Sequence, residues 1–296
     1  MARFILSAFA DEASPSLDEQ LQALKEEGIG LIELRGVDGK NCAKLTLEEA
    51  DAVKAKLDAA GIALSALGSP YGKAPLDEPF DEHLELFRHG LELCKHLGCK
   101  RIRMFSFFPP AGSNPASWRE EVIRRLTIML DLAEEAGIQL VHENEKEIYG
   151  DVTERCIDLL DHFGDRMGFA FDPANFIQCG VNPPEAYEKL HDRITYMHIK
   201  DAIMADGAVV AAGHGDGHLA ELLGKLNARI AGLNDGSFVM DDQEAPRVEA
   251  LSPAGKPALP RPVPRLERWP FSAPHQVAMQ HLALLAQAAL LVSSNE

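Results

Sequence analysis

Four acid or imidazole side chains close successive short apolar runs. Glu143 ends Leu140-Val141-His142-Glu143, and Asp172 follows Phe169-Ala170-Phe171. His198 follows Tyr196-Met197, and Asp241 follows Phe238-Val239-Met240. Three carboxylates and one imidazole make a hard, oxygen-rich donor set that suits one divalent metal ion, Mn²⁺ first, with Mg²⁺, Co²⁺ or Zn²⁺ also compatible. A cation also explains how that many acids could sit together, since they could not all ionise cheaply without one. Taken singly, each has an ordinary reading: a strand-end histidine is commonly a hydrogen-bonded residue, and Asp-Pro starts turns and caps helices. Their joint placement at consecutive run ends is what points to a metal centre, and Asp241 is the weakest member.

Period-two alternation selects which side chains would share a face. Tyr196, His198 and Lys200 fall on one face of their run, and Met197 and Ile199 on the other. Asp172 follows Gly168 and Ala170, while Val239 and Asp241 share a face opposite Phe238 and Met240. Glu143, Asp172, His198 and Asp241 are thus expected to converge, with Glu143 and Asp241 as the candidate pair for moving protons. Lys73, Arg103, Asn144, Glu145, Asn175 and Lys200 are candidates for holding substrate hydroxyls, each with an alternative as a surface or capping residue. The Gly213-His-Gly-Asp-Gly217 stretch precedes a helix and admits two uses, a phosphate cradle or a tight turn. The acidic balance of the chain favours the turn.

The elements that must position these residues alternate in strand–helix units. Strands are expected at Phe4–Phe9, Leu31–Leu34, Ala63–Leu67, Arg101–Phe105, Gln139–Glu143, Gly168–Phe171, Ile194–Ile199 and Ser237–Met240. Helices are expected at Ser16–Glu27, Leu47–Ala60, Asp81–Leu97, Trp118–Ala136, Thr153–Phe163, Pro184–His191, His218–Arg229 and His275–Leu291. Eight units in a row predict a single-domain (β/α)8 TIM barrel over residues 1–296, whose strand ends carry the site. Gly28, Gly61, Gly98 and Gly137, each followed by Ile or Cys, read as helix stops that turn the chain into the next strand. Residues 243–270 carry Pro246, Pro253, Pro257, Pro260, Pro262 and Pro264, which forbid regular structure there. That loop reads as a lid, a partner-binding arm or an irregular insertion.

With 296 residues, 46% of them apolar, the chain can build one large core. Its net charge of −17 repels polyanions, so nucleic acid and anionic membranes are poor partners. No apolar run reaches the roughly 18 residues a membrane span requires, and the N-terminus reads as a first strand rather than a signal peptide. Five scattered cysteines argue against a disulfide framework and for a reducing cytoplasm. The partner expected is a small sugar-like molecule, with a homo-oligomer left open.

These residues carry a resemblance. Over residues 3 to 242 the chain resembles the xylose-isomerase-like TIM-barrel superfamily, which includes sugar isomerases and epimerases, inosose dehydratases and metal-dependent apurinic endonucleases. The stretches concerned are Phe9-Ala-Asp-Glu12, Ile32-Glu-Leu-Arg35, His142-Glu-Asn-Glu145, Phe171-Asp-Pro-Ala-Asn-Phe176, His198-Ile-Lys-Asp201 and Gly213-His-Gly-Asp-Gly217. The resemblance implies a metal held by Glu143, Asp172 and His198 and by a fourth carboxylate. That position is usually Glu and here is the shorter Asp241. It also implies isomerase or epimerase chemistry, in which a proton leaves the carbon beside a carbonyl through an enediolate. Two other readings stay open. One is a lyase acting on a keto-polyol of the inosose type or on a ketoglycoside, using Glu143 with Lys200 or His142. The other is a catalytically decayed barrel serving as a subunit. The endonuclease reading is opposed by the negative charge.

Overall fold

The computed structural model describes residues 5–233 and 289–291. Seven parallel strands curl around one axis: β1 (Leu6–Ala8), β2 (Leu31–Leu34), β3 (Ala63–Gly68), β4 (Arg101–Met104), β5 (Gln139–Glu143), β6 (Met167–Phe171) and β7 (Ile194–Met197). Each of β1 to β5 leads to a covering helix: α1 (Leu17–Glu26), α2 (Leu47–Ala60), α3 (Asp81–Leu97), α4 (Arg119–Glu135) and α5 (Thr153–Phe163). Two helices, α6 (Pro173–Gln178) and α7 (Pro183–Leu190), follow β6, and α8 (Leu219–Leu233) follows β7.

The alternation expected along the strands is realised. Phe169, Phe171, Met197 and Ile199 join the large apolar cluster shared with the helices. Val141, Ala170 and Tyr196 form a separate cluster inside the ring. Helix stops behave as read, with Gly28, Gly61, Gly98 and Gly137 all at φ between 67° and 69°, a region that costs a side-chain-bearing residue roughly 1 kcal/mol or more. All five cysteines are free thiols. Among the described residues, no helix is long and apolar enough to cross a membrane.

One difference from the sequence reading concerns the closure of the ring. The expected eighth strand, Ser237–Met240, lies outside the described residues, as do Asp241 and the proline-rich stretch 243–270. Residues Ala289–Leu291, expected inside the last helix, instead form a strand that runs antiparallel to both β1 and β7 and completes the strand order. The correction has a physical source: a short run such as Ala289-Leu290-Leu291-Val292 carries no period that separates helix from strand. The free edges of β1 and β7 supply hydrogen-bond partners that an isolated helix end does not. A further helix, α6, was not expected. It begins at the Asp172-Pro173 step, where the Asp172 carboxylate accepts from the Asn175 backbone N–H at 2.9 Å and proline occupies the first helical position.

Two loops at the strand ends are built from within. After β3, Gly72 takes φ 82° and lies so close to the Phe105 carbonyl that a Cβ would meet it at 2.0 Å. Its N–H donates to His83 Nε2 at 2.8 Å. Buried Arg125 of α4 donates to the carbonyls of Pro75, Leu76 and Glu78 in the same loop. After β7, the buried Asp201 carboxylate accepts from the N–H groups of Gly213, Gly215 and Gly217. The glycine stretch is therefore a turn closed by its own aspartate, and those N–H groups are not available to a phosphate.

Candidate metal centre

Strand register brings the donors together. Ala170 pairs with Glu143 on one side and with Tyr196 on the other. Two residues further on, on the same face, stand Asp172 and His198. All three donor residues are buried, and one ligand-capable atom from each of Glu143, Asp172 and His198 lies within 4.8 Å of the others.

The facing atoms are specific. His198 Nδ1 is 3.0 Å from Glu143 Oε1 and 3.7 Å from Asp172 Oδ2. Asp172 Oδ1 caps α6, but Asp172 Oδ2 is buried without a hydrogen-bond partner. An orphaned buried carboxylate oxygen costs on the order of 1–3 kcal/mol or more. This one faces the imidazole on one side and Lys200 Nζ, 3.8 Å away, on the other. A divalent cation accepting Asp172 Oδ2, Glu143 Oε1 and His198 Nδ1 would satisfy that oxygen, so the donor set fits the metal the sequence implies.

The other candidate residues separate into two groups. Asn144 donates to the Asp172 carbonyl at 2.9 Å and accepts from the Asp172 N–H at 2.8 Å, tying β5 to the Asp172 backbone. Asn175 donates to Glu143 Oε1 at 3.0 Å and to the Asn144 carbonyl at 2.9 Å, while its Oδ1 accepts from Lys200. Arg103 is buried with its Nε between Glu33 (3.2 Å) and Glu143 (3.1 Å) and its Nη1 on the Ser69 carbonyl. These three serve the donor residues themselves. Lys73 and Glu145 stand further out, paired with each other at 2.9 Å, with the lysine amine 4.2 Å from the Phe105 ring centre. Lys200 is the partly exposed cation next to the donors.

Residues without an assigned role in the sequence complete the cluster. Glu33, from β2, lies against His198 Nε2 at 3.3 Å and accepts from the Tyr196 hydroxyl at 2.7 Å. Phe9 packs edge-on against the His198 ring at 5.2 Å between centroids. A signal for Glu33 was present: it is a lone charge inside the apolar run Leu31-Ile32-Glu33-Leu34, and such a residue is rarely buried without a partner.

The charges compensate one another. Burial opposes ionisation of Glu143, but His198 and Arg103 outweigh it and hold the carboxyl well below its usual range. Glu33 is likewise depressed against burial, by His198, Arg103 and Tyr196. His198, which burial alone would deprotonate, is raised well above the ordinary histidine value by Glu143 and Glu33. Both carboxylates favour its charged form. Lys200 is held as an ammonium by Asp172 and Glu143 against its own burial.

His142 points the other way. It stacks on Phe169 and lies 2.9 Å from Ser106 Oγ, outside the donor cluster, so the sequence alternative that paired it with Glu143 is not realised. Burial lowers its pKa to about 4, and burial together with Arg125 lowers His83 to about 4. Both imidazoles are neutral in the fold and titrate near 6.5 when unfolded. Between pH 6 and pH 5 these two imidazoles therefore bind close to two more protons in the unfolded chain than in the folded one. The metal-free protein should lose stability as pH falls through this window, at roughly 2.7 kcal/mol per pH unit. Urea unfolding at pH 7, 6 and 5 measures the slope, and His83→Gln should about halve it. A flat profile between pH 6 and 5 would mean that these imidazoles are not held neutral.

Comparison with known proteins bears on the family and the fold. The sequence profile described as xylose isomerase-like TIM barrel matches residues 21–234. No curated protein matches the chain. Among solved structures, the probable 3-DHS dehydratase AsbF of Bacillus anthracis is similar at TM-score 0.62 and 17% identity, covering 77% of this chain and 89% of that one. The IOLI protein with a bound zinc atom is similar at TM-score 0.61 and 20% identity, covering 74% and 84%. A D-tagatose 3-epimerase-like protein is similar at TM-score 0.59 and 18% identity, covering 76% and 85%. At these identities the likeness establishes the fold.

Proposed function

This chain belongs to the xylose isomerase-like TIM-barrel family, and from that premise we propose that it isomerises or epimerises a sugar or sugar derivative with one divalent metal ion, Mn²⁺ first. Glu143, Asp172 and His198 hold the ion, with Asp241 as the fourth ligand expected from sequence. The observation that carries the proposal is the convergence of three buried donor residues, Glu143, Asp172 and His198, one of which presents a carboxylate oxygen, Asp172 Oδ2, with no partner of its own.

A divalent ion bound there would withdraw charge from a substrate carbonyl and acidify the adjacent C–H. The protein's own groups then have defined tasks. Glu143, with Oε2 on Arg103 and Oε1 held by Asn175, is a weakly basic carboxylate and takes a proton only from a carbon so acidified. Asp241, the partner the sequence offers for Glu143, is the carboxylate we propose returns the proton. Lys200, placed through its 2.8 Å bond to Asn175, and the Lys73–Glu145 pair hold substrate hydroxyls.

Lys200 also favours a second reading. An ammonium 3.8 Å from Asp172 is a proton donor for a departing hydroxyl, which is what a keto-polyol lyase or dehydratase requires. Incubating the Mn²⁺-loaded chain with ketohexoses and inososes in D₂O separates the two. Deuterium beside the carbonyl with a mixture of isomers is the expected result. An unsaturated dicarbonyl absorbance would move the assignment to the lyase, and failure to bind stoichiometric Mn²⁺ at saturation would overturn both.

A further inference from the structure

Resting on the metal reading above, we infer that Glu33 is a positioning carboxylate, which holds the His198 ring so that Nδ1 faces the metal and Nε2 carries the proton. The two nitrogens of His198 face opposite partners. Nδ1 lies toward Glu143 and Asp172, at 3.0 and 3.7 Å, and Nε2 lies 3.3 Å from Glu33 Oε2. An imidazole that gives Nδ1 to a cation must keep its remaining proton on Nε2, and that N–H needs a buried acceptor. Glu33, fully buried at the end of β2, is that acceptor.

Glu33 is itself fixed on both oxygens. Oε1 takes Arg103 Nε at 3.2 Å, and Oε2 takes the Tyr196 hydroxyl at 2.7 Å. Behind Tyr196 a chain of hydroxyls continues to Ser65 at 3.1 Å and from there to Ser7 at 2.6 Å. The ring edge of Phe9 packs against the imidazole and opposes its rotation. Arg103 touches Glu33 and Glu143 with one nitrogen, so the carboxylate that orients the histidine and the carboxylate beside it share a counter-charge. Glu33 is buried, and its effect passes through His198.

Zn²⁺ alone is the probe. Its affinity is measured by calorimetry for the full-length wild-type chain, Glu33→Gln, Glu33→Leu and Asp172→Asn, and the histidine nitrogens of the Zn²⁺-loaded proteins are read by ¹⁵N NMR. Wild type should show His198 ligating through Nδ1 with a protonated Nε2. Glu33→Gln, which keeps an acceptor and loses the charge, should bind about 10-fold more weakly, and Glu33→Leu about 100-fold. The histidine Nε2–H should exchange faster with solvent in both. Should Glu33→Leu fail to fold, Glu33→Gln carries the test. Wild-type affinity in both Glu33 variants, with Asp172→Asn impaired, would overturn the role of Glu33 and leave the metal site standing. Ligation through Nε2 would also overturn it. A wild-type chain that binds no Zn²⁺ would remove the metal reading beneath it.

Discussion

Asp172→Asn is expected to leave the fold intact while lowering divalent-metal affinity about 1000-fold and removing turnover. The two oxygens of Asp172 do different work. Oδ1 caps α6 by accepting from the Asn175 N–H, and an asparagine carbonyl does this as well. Oδ2 has no protein partner and faces His198 Nδ1. In the asparagine variant an NH₂ group stands there instead, presenting donors where the cation needs a lone pair. Loss of a residue that merely supports a ligand typically costs 10- to 100-fold in affinity, so loss of a charged ligand is placed about one order beyond. Asp172→Ala should show the same metal defect with about 1 kcal/mol of lost stability from the missing cap. Calorimetric titration with Mn²⁺, together with urea unfolding of both variants, separates the two contributions. Wild-type affinity in Asp172→Asn would mean that the orphaned oxygen is not a ligand.

The route from sequence to this site shows which physical signals are local. The alternation placing Tyr196 and His198 on one face of β7, and Ala170 and Asp172 on one face of β6, is a property of a single extended strand. It therefore needs no knowledge of neighbours. Helix stops at Gly28, Gly61, Gly98 and Gly137 are local for the same reason. Glu33 was not legible as part of the site because its partner His198 is 165 residues away in sequence. Only the curling of β2 and β7 around one axis brings them together. Arg103 illustrates the same limit. Sequence marks it as a strand-end cation fit for a substrate, whereas its burial among Glu33, Glu143 and the Ser69 carbonyl engages it with the protein. The glycine stretch 213–217 was legible as a turn, but the acceptor that closes it, Asp201, is identified only by the packing of the loop.

Arg103→Ala should destabilise the protein by about 3–5 kcal/mol, the range for leaving buried charges without their partner. Arg103 is the guanidinium between Glu33 and Glu143. Without it, two buried carboxylates retain His198 as their shared cation and Lys200 at longer range. Arg103→Lys should recover little of the loss. A lysine offers no planar fork to span both acids while holding Ser69, and it loses the stacking of the guanidinium over Phe105 (4.7 Å) and Phe9 (5.5 Å). The metal adds a discriminating test. Saturating a site at 100 times its Kd stabilises any folded protein by about 2.7 kcal/mol. In Arg103→Ala the added cation also offsets the repulsion that the arginine had relieved. Mn²⁺ should therefore raise the urea midpoint of the variant by more than it raises that of wild type. An equal shift would mean that Arg103 and the metal act on separate charges, and an unchanged midpoint in metal-free Arg103→Ala would mean that the arginine does not hold the interior acids in their ionised form.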